Sequence, residues 1–598
     1  MIQFRVLKSF RGPNPYATEA GVLASMLIED GDLRVARTRA DVILGAFGAW
    51  FRHEGRGEDG RPLSLETPVG LADFLAALCL AALNEMRGFL RTASAFDNNG
   101  RVAVYIGCHH EHVTATALSA VVSLFNELDA LSPDRITHHF AALWRLCRQH
   151  HPDYQAKILM QGAHSRGIPY LQLLPFQRLW QYGWGRNGRT FFESVSTRES
   201  LVGGRLAGKK QFAKAVFEAL GAPVVPHVLV DGEQDLEEAA RRIAWPCVVK
   251  PTDRDRSEGV TLGVTDLPGL RKAFHFARKY SAAPVMIERH IPGDVHRILV
   301  VRGKVAWVIR RDAPHVIGDG VRTLAELVEQ RNAAIAAAQR PGAFVGETPL
   351  DEDFHAELRR QAVDLADIVP AGRRVNLRKV PLMVTGAFYA NVTDDAHPDI
   401  VRMAEFLADA FGFSICGIDF MTDDISRSYV EQGAVIEINT TPALRVPVMT
   451  GVAPEAVGCL VLGDEPGRIP VTLILCDQAL HAGLHAVLPI QPDSGWVIGG
   501  RCGVGATPLA ASADAEDRPN ALPFEQTLQV LRNPRAARIV IVCDPKPVVA
   551  HGLPVDRCDD IICYGSMPDP SWRRVLERHS SRYFEVTGLD ELAAVLAG

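Results

Sequence analysis

The sequence predicts a multidomain chain of mixed α/β and α+β class, and three observations carry that expectation. At 598 residues the chain exceeds what one hydrophobic core supports, so roughly three or four domains are expected. Strand-like apolar runs alternate with helix-like ones near both ends, the pattern of layered α/β structure. In the middle, apolar strands turn around glycines, as at Val301 to Lys304, which makes antiparallel pairs and an α+β arrangement. Shifts in pattern and composition divide the chain at 1–160, 161–465 and 466–598.

In residues 1–160, strands such as Ile2 to Val6 and Val102 to Ile106 mix with helix-like runs such as Leu71 to Leu83 and Thr114 to Leu128. The segment CHHEHV, Cys108 to Val113, gathers three histidines and a glutamate. Neighbouring residues point different ways and no HExxH spacing sets two imidazoles on one face, so a solvated turn is expected there. A connector rich in glycine and aromatics, SRGIPYLQLLP and YGWGRNGRTFFESVS, leads to the central region. That region opens with an amphipathic helix, Lys209 to Leu220, closed by Gly221 and followed by Pro223. Strands are expected at Pro246 to Pro251, Val285 to Glu288, Arg297 to Val301, Val305 to Ile309, Ile415 to Phe420 and Ala434 to Asn439. Helices are expected at Asp353 to Ile368 and His397 to Phe411. After a hinge at Leu462 to Pro470, a βα pattern returns with strands near Val471 to Leu475, Ala537 to Val542 and Asp560 to Cys563.

A formal net charge of -6 with 22% charged residues gives none of the basic bias that nucleic-acid or acidic-membrane binding favours, so small molecules or peptides are the expected partners. The eleven cysteines show no CxxC pair or zinc spacing, and the N-terminus lacks the layout of a secretory signal. Reduced thiols and a cytoplasmic location are the expectation. No membrane span is expected, because the longest apolar run, Leu71 to Leu83, is interrupted by Asp73 and falls short of about 18 residues.

Chemistry concentrates in the central region. In VIEIN, Glu437 and Asn439 are two apart on a strand and share a face, and Asp419 ends the preceding strand. Two carboxylates and an amide are hard oxygen donors, suited to Mg²⁺ shared with the phosphates of ATP. Lys210, in LAGKKQFAK, and Lys250, at the end of WPCVVKP, are candidate phosphate ligands, and the loop TDRDRSEGVT after Lys250 is placed to cover the phosphates. Glu288, at a strand end before a turn, is the candidate for the adenine amino group, with Asp294 for the ribose. Arg378 and Arg445 are candidates for transferred phosphate or a substrate carboxylate.

These motifs, taken in order, resemble the ATP-grasp region of cyanophycin synthetases. The matching signatures are SRGIPYLQL, LAGKKQFAKAVFEALGAPVVP, VVKP, IERHIPGDVHRILVVRGKV, APHVIGDGVRTLAEL, TDDAHP, CGIDFMTDDI and VIEINTTPALR, with RGPN at Arg11 to Asn14 extending the likeness to the N-terminal domain. The resemblance implies a central ATP-grasp fold and carboxylate activation. ATP phosphorylates the C-terminal carboxylate of a growing chain, and an amine then displaces phosphate to form an amide. It also implies a homo-oligomer.

The last domain resembles a Mur-ligase-like region whose phosphate loop is lost. In IPVTLILCDQALHAGLHAVL, Leu480 stands at the lysine position, and Cys476 and Ala479 replace glycines. Backbone amides then cannot cradle phosphate. With the chain stopping at 598, this resembles a truncated, second type of cyanophycin synthetase, one that joins preformed β-aspartyl-arginine dipeptides onto a cyanophycin-like polymer. Several positions depart from the family. TDRDRSEGVT keeps only Gly259 and adds Arg254, Arg256 and Glu258; Leu382 and Val384 replace an asparagine and a serine; Ala443 and Pro447 replace a glycine and a histidine. Two alternatives therefore stay open: an ATP-grasp peptide ligase with a different substrate, and a catalytically inactive peptide-binding scaffold.

Overall fold

The computed structural model describes residues 1–39, 65–127, 133–174, 177–254, 258–338, 345–379, 383–481, 483–484, 488, 490–509, 523–565, 567 and 569–597. The chain forms mixed α/β structure in two compact units. One joins residues 1–192 to 464–598, and the other spans most of 193–463.

In the first unit, strands Gln3–Phe10, Gly21–Leu27, Val102–Gly107 and Ala93–Asp97 form an antiparallel sheet in that spatial order. Strand alternation sends Ala24, Met26, Val104 and Ile106 to one face, where helices Pro68–Glu85 and Glu111–Asn126 bury Leu71, Phe74, Leu75, Val113 and Leu118. By length and composition the 18-residue Pro68–Glu85 could cross a membrane, so the apolar run is longer than the sequence reading allowed. Its apolar residues are instead spent on this core, and Asp73 Oδ1 accepts the Ala95 N–H at 2.9 Å. CHHEHV is not simply a solvated turn. His109 Nε2 accepts the Phe89 N–H at 3.0 Å, and burial holds its imidazole well below the ordinary histidine range, while Glu111 starts the next helix.

The C-terminal part of this unit is a seven-stranded sheet in the order Thr507–Leu509, Arg501–Val504, Ser494–Ile498, Arg538–Cys543, Val471–Leu475, Cys558–Tyr564 and Ser580–Val586. The last five run parallel, with apolar clusters on both faces, as buried parallel strands require. Residues 161–192, assigned from sequence to the central domain, pack here instead. Gln181 Nε2 donates to the Leu531 carbonyl at 2.9 Å, and the Trp184 and Arg186 N–H groups donate to Gly467 and Ala536. The N-terminal loop is clasped to the same sheet, because the Arg11 N–H donates to His551 O at 2.7 Å and the Leu553 N–H to Pro13 O at 2.8 Å.

The second unit holds two larger antiparallel sheets and a two-stranded one, His315–Ile317 with Arg374–Asn376. The four-stranded one has the order Thr261–Val264, Cys247–Pro251, Val285–Arg289, His227–Val230, and helices Leu236–Arg242 and Leu267–Tyr280 cover the face bearing Val249, Val285 and Ile287. The five-stranded one has the order Phe388–Asn391, Lys304–Asp312, Asp294–Val301, Ile415–Thr422, Ala434–Asn439. Helices Pro398–Phe411 and Lys210–Ala219 cover the face bearing Ile298, Ile418 and Ile438. The chain passes from one sheet to the other through a turn at Gly293, where φ is +116° and a Cβ would lie 2.4 Å from the Thr422 carbonyl carbon, so only glycine fits. The helix expected over Asp353 to Ile368 spans only Glu352–Arg360, because Ala362 takes a positive φ and the Gln361 side chain turns to bond the Asn376 backbone.

Candidate active site

Two charged groups form on the sheet faces opposite these cores. On the four-stranded sheet, Val249 and Ile287 point to the core, so Lys250 and Glu288 point away from it. They are diagonal neighbours across the register Val248↔Glu288 and Lys250↔Met286. Glu288 ion-pairs with Lys250 at 2.7 Å and with Lys214 at 2.8 Å. Burial pushes the Glu288 carboxyl up, but the two ammonium groups outweigh that and hold it at about 2. For Lys214, only 1% exposed, burial outweighs the attraction of Glu288 and lowers its pKa. Lys214 was not singled out from sequence. Its signal was its place between Ala213 and Phe217 on the apolar stripe of its helix, where a surface lysine does not belong.

On the five-stranded sheet, Arg297, Asp419 and Glu437 stand directly opposite one another on three adjacent strands. Arg297 grips Asp419 through Nε at 2.5 Å and Nη2 at 3.1 Å, and Arg311 lies 3.7 Å from the same carboxylate. Burial pushes the Asp419 pKa up, yet the two arginines and a hydrogen bond with Glu437 bring it below the usual carboxylate range. Asn439 lies two residues further along the same face and donates its amide to Glu437 Oε1 at 3.1 Å. Tyr389 is opposite Arg311 on the edge strand; burial raises its phenol while Arg311, Arg445 and Arg297 pull it down, which puts Arg445 beside this group.

The structure thus brings Asp419, Glu437, Asn439 and Arg445 together, and it joins Lys250 to Glu288. The helix Lys210–Ala219 ties the two groups, since Ala213 and Phe217 seat it on the five-stranded core while Lys214 reaches Glu288. Lys210, one turn earlier on that helix, donates instead to the Arg254 carbonyl at 2.5 Å, at the start of the loop after Lys250. Asp294 is three residues from Arg297 on an unbroken register, so it falls on the opposite face, with His296 and Arg310. Arg378 is engaged elsewhere, by Asp351 and, at 3.5 Å, by Asp353. Arg256 and Leu382, among the family departures, lie outside the described residues.

The donor set suits a hard cation. Asp419 and Glu437 adjoin, and the Asn439 amide oxygen is left over once its nitrogen serves Glu437, so the three donors are all oxygens. Arg297 and Arg311 orient Asp419 from behind, the role of outer partners around a ligand carboxylate. Gly417 makes room for that grip, because a Cβ there would sit 3.0 Å from both Cδ and Nη1 of Arg297. Gly417→Ala is therefore expected to lower stability by about 1–3 kcal/mol through displaced Arg297, read as a drop in the urea midpoint. An unchanged midpoint would show that Arg297 shifts without cost.

An α+β unit carrying paired lysines on a carboxylate and an acidic-amide trio is thus defined by geometry alone. Cyanophycin synthetases are homologues of this chain, in agreement with the motif resemblance. The one from Trichormus variabilis is 30% identical over 349 residues, 57% of this chain and 38% of the relative. The one from Synechocystis is 27% identical over 418 residues, 67% of this chain and 46% of the relative. The chain therefore spans less than half the length of these curated relatives. Among solved structures, a bifunctional glutathione synthetase from Pasteurella multocida is similar with a TM-score of 0.40 at 19% identity, covering 59% of this chain and 50% of that one. No family model matches the chain.

Proposed function

We propose that this chain is an ATP- and Mg²⁺-dependent carboxylate-amine ligase of the ATP-grasp kind. It extends a cyanophycin-like peptide with β-aspartyl-arginine, as a cytoplasmic homo-oligomer in which the Mur-type region at 466–598 is inactive. The observation that carries this reading is the row Arg297, Asp419, Glu437 with Asn439, two carboxylates and an amide on one face backed by arginines. The sequence relatives support it.

Lys250 and Lys210 neutralise nucleotide phosphates, and Glu288 orders Lys250. Asp419, Glu437 and Asn439 would hold Mg²⁺, which would supply charge neutralisation on those phosphates. The substrate carboxylate attacks the γ-phosphorus, ADP leaves, and the amine displaces phosphate from the acyl phosphate, losing a proton as the amide forms. Arg445, beside Tyr389, and Arg378, once released from Asp351, hold the reacting carboxylate. Holding the two reactants together supplies most of the rate, and no protein nucleophile is needed.

The test is phosphate release with Mg²⁺, a short cyanophycin primer and β-aspartyl-arginine. Release should depend on the dipeptide and fall at least about 100-fold in Glu437→Ala. ATP binding without dipeptide-dependent release supports instead a ligase for another substrate. That second reading is favoured by Val384, 67% exposed where the resemblance expects a hydroxyl. Absence of ATP binding supports the scaffold.

A further inference from the structure

The first unit carries a cavity that the ligase reading does not use. It measures about 460 Å³ and opens between the loop at Asn14 and Pro15 and the helix Ser571–Arg578, with Pro570, Arg574, Arg578 and His579 completing its walls. Arg574 and Arg578 are four residues apart, hence side by side on one helix face, and both are exposed. The nearby carboxylates are already committed. Glu577 serves Arg573 at 3.0 Å, Asp569 Oδ1 accepts the Ser571 N–H at 2.9 Å, and Asp556 pairs with Arg468. Among the described residues, no acidic side chain pairs with Arg574 or Arg578.

The floor is rigid. Asn14 is buried and fully used, its Nδ2 donating to Gly12 O and the Tyr105 hydroxyl at 2.9 Å and its Oδ1 accepting the Tyr16 N–H at 3.0 Å. A Cβ on Gly12 would lie 2.2 Å from Leu553 O, so the two chain segments touch backbone to backbone beneath the cavity. His579 is buried with Nδ1 at 2.7 Å from Asp556 O, which fixes the ring and leaves Nε2 as its remaining polar atom. Two guanidinium groups lacking a counter-charge at a concave site call for an anion with several acceptor oxygens, while the His579 ring only shapes the wall. Pro15, Pro570 and Val575 supply apolar walls for a short organic group attached to it.

We propose that this cavity binds an oxyanion, a carboxylate or phosphate group on a small ligand, through Arg574 and Arg578. The inference does not rest on the ligase reading. The experiment is titration calorimetry of the full chain with succinate and, separately, with inorganic phosphate. The comparison is among wild type, the double variant Arg574→Ala/Arg578→Ala and the charge-preserving double variant Arg574→Lys/Arg578→Lys. Binding should weaken roughly tenfold or more in the alanine variant, be largely retained in the lysine variant, and be unchanged in Glu437→Ala. Tighter binding of succinate assigns a carboxylate ligand, and tighter binding of phosphate a phosphorylated one. Since both arginines are exposed and unpaired, the thermal midpoint of the alanine variant should match wild type. No binding of either anion, or equal binding by the alanine variant, overturns the proposal.

Discussion

Glu288→Gln is expected to lower the unfolding free energy by about 3–5 kcal/mol, because it leaves Lys214 and Lys250 buried against a neutral amide. The same substitution should reshape the acid limb of stability. Folding holds the Glu288 carboxyl at about 2 against an ordinary value of 4.5, so its stabilisation is present above about pH 4.5 and is lost as pH falls toward 2. That contribution is on the order of 3 kcal/mol, and the glutamine variant should lack it. Lys214 has a slope of the same sign in a window that ends at a higher pH. Its pKa is lowered on folding, so the native state gains as pH rises through that folded value toward 10.5. The Glu288 window lies below about pH 4.5 and the Lys214 window closes at 10.5, and urea titrations at pH 3, 7 and 10 sample them. A loss below about 1 kcal/mol at pH 7 would mean that the lysines reach water once the carboxylate is gone.

Asp419→Asn should be the most damaging single change to activity, with a loss of at least about 100-fold in dipeptide-dependent phosphate release. The carboxylate serves two purposes here. It is a proposed Mg²⁺ ligand, and it is the counter-charge for Arg297 and Arg311, both held on a largely covered sheet face. Unlike Glu437→Ala, it should therefore also destabilise the protein by about 3 kcal/mol. Activity assayed well below the thermal midpoint, as a function of Mg²⁺ concentration, separates these losses. Full activity in Asp419→Asn would end the metal assignment.

The legibility of the site follows the range of each interaction. Glu437 and Asn439 were readable because strand alternation is local, and Lys250 because a charged residue ends an apolar strand. Arg297 was not, since its partner Asp419 is brought opposite only by the pairing of two strands 122 residues apart in sequence. Lys214 was passed over because lysine on a helix is ordinarily solvated, although its apolar neighbours marked the exception. The placement of Asp294 could have been improved from parity alone, given that Arg297 is an odd number of residues away. Strand positions in the last domain were legible for the three central neighbours, Val471–Leu475, Arg538–Cys543 and Cys558–Tyr564. The antiparallel edge strands, shorter and less apolar, were not. Residues 161–192 were misassigned because the bonds that hold them reach Gly467, Leu531 and Ala536, far along the chain.

The clasp between the N-terminal loop and the segment around His551 to Leu553 also sets an order of events during synthesis. Roughly 270 residues separate the two parts of the first unit, so at about 5–20 residues per second the N-terminal loop waits tens of seconds for the segment it bonds. The intervening unit, contiguous in sequence, can finish first, while the Arg11 N–H and the Pro13 carbonyl wait for these partners until residues 551–553 have been made. In a cell, a nascent chain that has not reached residue 551 should therefore carry a folded middle unit and an N-terminal sheet closed on its own core, with only the loop at Arg11 to Pro13 still open.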